Sequence, residues 1–177
     1  LHPKRVALGI GRAPGTDQLT ALALRRGGGT ADDFPDQIME LSGYFEGKWP
    51  AEHPFREITA TPGLGNPPAL WMLGSSNYGA QAAGMLGLPY SFAHHFASAS
   101  TMVATQTYRE SFRPGGAIDE PYLMLGVSVL CAESDEQAQW LAGSGSLSFV
   151  RLRTGWPGRF PTPEEAAAYE YSPQEQA

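Results

Sequence analysis

The sequence has one cysteine, Cys131, in 177 residues, so no disulfide can close within the chain. It is also short of positive charge: 12 Lys and Arg stand against 18 Asp and Glu, a net charge of −6 with no basic run. A phosphate backbone gripped at several points is therefore not an expected partner. Long hydrophobic runs are missing as well. Ala69 to Leu73 and Leu123 to Val129 fall far short of the ~20 apolar residues that cross a bilayer, so no membrane partner is expected. No charged start leading into an apolar segment marks secretion, and a reducing cytoplasm is the expected location. Charged residues make up only 17% of the chain, whereas 42% is hydrophobic, including 8 Phe, 7 Tyr and 4 Trp. That composition folds around a core and excludes a solvated tail. The length suits a single domain spanning residues 1–177. The chain opens at Leu1 rather than Met, straight into a strand-like run, which leads us to expect a piece of something longer.

Apolar runs and helical stripes alternate along the chain. Arg5 to Ile10 is an unbroken apolar run ahead of a Gly-Pro-rich turn, as expected of a strand buried on both faces. Thr16 to Arg26 reads as a helix stopped by Gly27-Gly28-Gly29, and Phe34, Ile38, Leu41 and Phe45 form one stripe of a second helix. Residues 47–68 hold five prolines and read as an irregular excursion, with an extended piece at Phe55 to Thr59; a loop of this length tends to be functional. Ala69 to Leu73 is the next strand. Tyr78, Ala82, Met85 and Leu86 mark a helix, Tyr90 to Ala93 a short strand, and Ser98 to Phe112 a helix with Ala104, Tyr108 and Phe112 on one face. Tyr122 to Ala132 reads as a fourth strand. Ser134 with Gln137, and Thr162 with Glu165, are cap signals for two further helices.

Repeated βα units imply an α/β fold with a parallel sheet. Doubly wound sheets and (β/α)8 barrels both meet that description, and four strands complete neither. In either one, ligands sit at the carboxyl ends of the strands. Four corners qualify: Gly11-Arg12, Gly74-Ser75-Ser76, His94-His95 and Glu133-Ser134. Gly74-Ser75-Ser76 lies between a strand and a helix N-terminus, where free N–H groups, the helix dipole and two hydroxyls can hold a phosphate. The same triplet also suits an ordinary capping serine. Arg12 can pair with phosphate oxygens or with a loop carboxylate such as Asp17. Taken together, the arginine and the serine-capped helix describe a phosphate site shared by neighbouring corners. His94 and His95 are adjacent at a strand end and point apart, without a third ligand at zinc spacing, so no metal is expected; one of them could line the pocket as a polar or proton-transfer group. Cys131 reads as a buried small hydrophobe in the fourth strand. No Gly-x-Ser-x-Gly elbow surrounds Ser75 or Ser76, which removes a serine hydrolase.

Leu1-His2-Pro3-Lys4-Arg5-Val6, Gly9-Ile10-Gly11-Arg12-Ala13-Pro14-Gly15-Thr16-Asp17, Leu73-Gly74-Ser75-Ser76 and Gly87-Leu88-Pro89-Tyr90-Ser91-Phe92-Ala93-His94-His95-Phe96 occur here in order. This ordered set resembles the bacterial-luciferase-like flavin-dependent monooxygenases, in their MsnO8-like subgroup, over nearly the whole chain. The resemblance implies a (β/α)8 TIM barrel of which this chain supplies roughly strands four to seven. It implies reduced FMN, less readily F420, as cofactor, together with O2, a small organic substrate, a flavin reductase as supplier of reduced FMN, and a homodimer. By position, Arg12 matches the phosphate-contacting arginine, and Leu73, Gly74, Ser75 and Ser76 match the segment along the flavin tail and its phosphate. A third hydroxyl found in some members is Gly79 here, and Arg25 and Arg26 could add positive charge. The proton-transfer histidine belongs to early strands outside the matched segment, so no catalytic residue carries over, and the isolated chain is expected to be inactive. Two other readings stand beside this one. The chain could be a non-catalytic truncated-barrel module that associates with another chain. It could also be a complete small phosphosugar or nucleotide binder, which would require Leu1 to be the true start.

Overall fold

The computed structural model describes residues 5–13, 20, 22–23, 33–156 and 158–175. The expected helix at Thr16 to Arg26, including Arg25 and Arg26, lies almost wholly outside them. Contacts divide the chain into two compact units, Leu1–Val127 and Ser128–Ala177.

The first unit is a parallel four-stranded sheet with helices between its strands. It runs β1 (Ala7–Gly11), α1 (Phe34–Glu46), β2 (Ala69–Gly74), α2 (Asn77–Met85), β3 (Tyr90–Ala93), a 3-10 turn (Ser98–Ser100), α3 (Thr101–Ser111) and β4 (Leu123–Gly126). The strands lie side by side in chain order, β1-β2-β3-β4, all parallel. A doubly wound sheet reverses its order at a switch point, and these four strands run without reversal, as successive strands of a (β/α) barrel do.

Register sorts the side chains onto two faces. Gly9 pairs with Trp71, Gly11 with Leu73, Leu73 with Ser91 and Ala93 with Gly126, so these residues share one face. The other face carries Met72, Tyr90 and Phe92, which are fully buried against Ala80, Ala83, Ala104 and Tyr108 of the helices. The expectation of strands buried on both faces therefore needs correction. Gly9, Gly11, Leu73 and Met124 are exposed, and among the described residues the helices of this unit pack on the Met72 face.

Tyr108 ties the covered face together. Its hydroxyl donates to the Leu88 carbonyl and accepts from the Tyr122 N–H, both at 3.0 Å, joining the chain segments that enter β3 and β4. Helix α2 turns its small residues inward: Gly79, Ala80, Ala83 and Gly84 are buried, while Met85 of the expected stripe is exposed. The reason is close approach. A Cβ on Gly84 would stand 2.8 Å from the Tyr108 carbonyl oxygen, so only small residues let α2 and α3 meet.

Two strand expectations change. Tyr122 to Ala132 contributes only Leu123–Gly126 to the sheet, because β4 ladders with β3, which has just four residues to offer. Cys131 accordingly lies past the strand and is exposed, not buried. Phe55 to Thr59 holds turns instead of an extended piece, with Ile58 N–H donating to the Phe55 carbonyl at 2.9 Å. Residues 47–68 contain no helix or strand, yet they are anchored: Trp49 packs on the face of Gly43, and Gly65 N–H donates to the Phe45 carbonyl at 2.7 Å.

The second unit holds α4 (Asp135–Arg153) and α5 (Pro163–Ala167), which pack on each other. Both expected caps form. Ser134 accepts from Gln137 N–H at 3.2 Å, and Thr162 with Glu165 completes a reciprocal capping box.

Candidate functional site

The site is built from the carboxyl ends of β1 and β2. Because Gly11 pairs with Leu73, the residue after each lies level with the other, and Arg12 comes beside Gly74. The guanidinium carbon of Arg12 stands 4.2 Å from the ring centroid of Tyr78, the second residue of α2. The arginine and the helix N-terminus therefore meet at one corner.

Ser76 caps that helix from an extended backbone (φ −135°, ψ 161°), its Oγ accepting from Gly79 N–H at 3.5 Å. The long bond leaves the hydroxyl able to donate to an incoming anion. N–H groups in the first helical turn have no partner within the helix, and the dipole adds partial positive charge there. Ser75 and Ser76 are both exposed. Guanidinium, hydroxyls and helix N-terminus together form a donor set suited to a phosphate dianion.

Leu73 and Gly74 point to opposite faces. The Leu73 side chain is exposed on the uncovered face and lies across Gly9, where a Cβ would come within 2.7 Å of its Cδ1. Gly74 looks to the covered face, where a Cβ would stand 3.2 Å from the Tyr90 hydroxyl. It brings backbone alone to the site. That tyrosine is a site-shaping residue for which the sequence carries no signal. Its hydroxyl donates to the Ser76 carbonyl at 3.3 Å, and burial pushes its pKa up to about 12, so it remains a donor. Tyr78 was likewise legible only as part of a helical stripe.

The two histidines part as expected. His94 Nδ1 lies 2.8 Å from Thr101 Oγ1 on α3, and His95 Nδ1 lies 2.8 Å from the Gly126 carbonyl at the end of β4. Among the described residues no group of three or more His, Cys, Asp or Glu is placed to hold a metal. A groove of about 1100 Å3, lined by Ile38, Met39, Pro68, Leu86 and Leu88, opens at the opposite, amino-terminal end of the strands. None of the candidate residues lines it. The chemistry-bearing groups lie at the carboxyl end, where barrel active sites are built.

A family model of luciferase-like monooxygenases matches residues 1–176. The chain belongs to the luciferase-like monooxygenase family. It is 46% identical over 177 residues to the uncharacterised protein YvbT of Bacillus subtilis (strain 168), and 41% identical over 177 residues to a luciferase-like monooxygenase of Escherichia coli (strain K12). These alignments cover 100% and 99% of this chain and 52% of each relative. The chain thus spans about half the length of the curated relatives it matches. Among solved structures, that of apo-MsnO8 superposes with a TM-score of 0.78 at 36% identity, covering 94% of this chain and 48% of the other. No described helix is long and apolar enough to cross a membrane.

Proposed function

We propose that this chain supplies the phosphate end of an FMN site in a luciferase-like monooxygenase that oxidises a small organic substrate with O2. The observation that carries the reading is the stack of Arg12 on Tyr78, which puts a guanidinium beside the serine-capped N-terminus of α2. A terminal phosphate monoester, with up to two charges, suits this donor set better than the phosphodiester of F420.

Each residue has a defined task. Arg12 neutralises the phosphate, the planar fork offering two parallel N–H donors. Ser75 and Ser76 donate hydroxyl hydrogens, and the first turn of α2 adds amide donors. Leu73 gives the flavin tail an apolar wall along the uncovered sheet face. When bound, reduced flavin supplies the oxygen chemistry; the protein orients it and keeps water away.

The uncovered face is then barrel interior, and the four strands correspond to roughly the fourth to seventh of eight. One barrel-derived domain over residues 1–177, a cytoplasmic setting, a flavin reductase as source of reduced FMN and a homodimer belong to the same reading. An isolated chain of this length, without the other strands, cannot wall off the cofactor and would lack monooxygenase activity.

Titration of flavin fluorescence tests the site. Arg12→Ala is expected to lower FMN affinity by at least about tenfold, the loss of one charge-assisted pair, and to leave riboflavin binding unchanged. Equal FMN affinity before and after the substitution would remove the assigned phosphate site.

A further inference from the structure

Gly126 and Ala93 end β4 and β3 side by side, and register places them on the same uncovered face as Leu73. The space that a Cβ on Gly126 would enter is bounded by the imidazole of His95, with Cε1 at 3.3 Å and Nδ1 at 3.4 Å. The ring therefore lies on that face, over the last residue of β4. It is held there firmly. The Gly126 carbonyl accepts from His95 Nδ1 at 2.8 Å and from the His95 backbone N–H at 3.2 Å, and the Phe96 ring packs at 4.2 Å between centroids.

A carbonyl oxygen only accepts, so Nδ1 carries the hydrogen, and in the neutral ring Nε2 is a bare acceptor. His95 is exposed, so that nitrogen is open to a ligand. His94 differs, its ring being engaged with Thr101 of α3. From the end of β2 to the end of β4 is two strand spacings, about 10 Å. A flavin held by its phosphate at the Arg12 corner would bring its ring system within reach of His95 if its body lay along the uncovered face toward β4. The isoalloxazine edge carries an N–H between two carbonyls, a donor in need of an acceptor.

We infer that His95, through Nε2, accepts a hydrogen bond from the ring edge of the bound flavin and so fixes the end of the cofactor opposite its phosphate. The inference rests on the flavin site proposed above, and the two are separable by experiment. Diethyl pyrocarbonate modifies accessible neutral imidazole nitrogens, and peptide mass spectrometry resolves His95 from His53, which sits beside Trp49 and Glu40. Saturating FMN is expected to stop modification of His95 and leave that of His53 unchanged. His95→Phe, which preserves a ring over Gly126, is expected to weaken FMN and riboflavin alike by about tenfold, whereas Arg12→Ala weakens FMN alone. FMN binding that is sensitive to Arg12→Ala, with His95 modified at the same rate with and without FMN, overturns the role of His95 and keeps the phosphate site. Absence of FMN binding by the intact chain overturns both.

Discussion

The guanidinium of Arg12 rests on the ring of Tyr78 with 4.2 Å between its carbon and the ring centroid, bridging the end of one strand and the first turn of the helix after the next. A cation over an aromatic face gains about 0.5–1 kcal/mol at an exposed site, enough to bias a flexible side chain toward one position. Tyr78→Ala is therefore expected to lower FMN affinity by roughly two- to fivefold, by releasing Arg12 without removing its charge, while Tyr78→Phe keeps the wild-type value. Fluorescence titration of the two variants side by side checks this; a loss in Tyr78→Phe equal to that in Tyr78→Ala would show that the ring face is not what matters.

Ser76 separates helix capping from anion binding. Asp caps helices as well as Ser does, yet its charge repels phosphate. Ser76→Asp should hold the stability of the protein in urea near wild type and abolish FMN binding. Ser76→Ala should cost about 1 kcal/mol of stability through the lost cap. If Ser76→Asp still bound FMN, the anion would have to sit elsewhere.

Helix α2 meets α3 through Gly84, where an added methyl would press on the Tyr108 carbonyl oxygen at 2.8 Å. Backbone cannot step aside as a side chain can. Gly84→Ala is expected to destabilise the first unit by about 1–3 kcal/mol, read as a lower urea midpoint at unchanged slope.

Alkaline pH acts through two buried tyrosines. Desolvation raises Tyr90 to about 12 and raises Tyr108 as well, above the value of 10 for the free side chain. A group whose folded pKa is raised contributes stability that is fully present below the unfolded pKa. That stability is lost as pH climbs from about 10 through the folded values, at up to about 1.4 kcal/mol per pH unit for each tyrosine. Unfolding free energy measured from pH 9 to 12 should fall along that course, and Tyr90→Phe should flatten it. A flat wild-type profile would show that neither phenol is shielded.

Much of the fold was legible because it is local. Tyr90 to Ala93 was bounded correctly by its apolar run, and the Ser134 and Thr162 caps follow from spacing alone. What sequence could not show depends on pairing between distant strands. Tyr122 to Ala132 looks like one long strand, yet β3 offers four residues to pair with, and the surplus, Cys131 included, lies outside the sheet. The corner was half legible. Arg12 and the serines announce an anion, but the register that sets Arg12 level with Gly74, and the Tyr90 hydroxyl beneath Ser76, exist only once the sheet forms.

The leucine lying across Gly9 ties two positions sixty-four residues apart into one decision. An alanine at position 9 makes the exposed Leu73 side chain swing aside, so the shape and rotamer of residue 73 set what position 9 accepts. Combinatorial libraries aimed at the flavin wall should randomise the two together, since scanning either alone would discard combinations that only the pair permits.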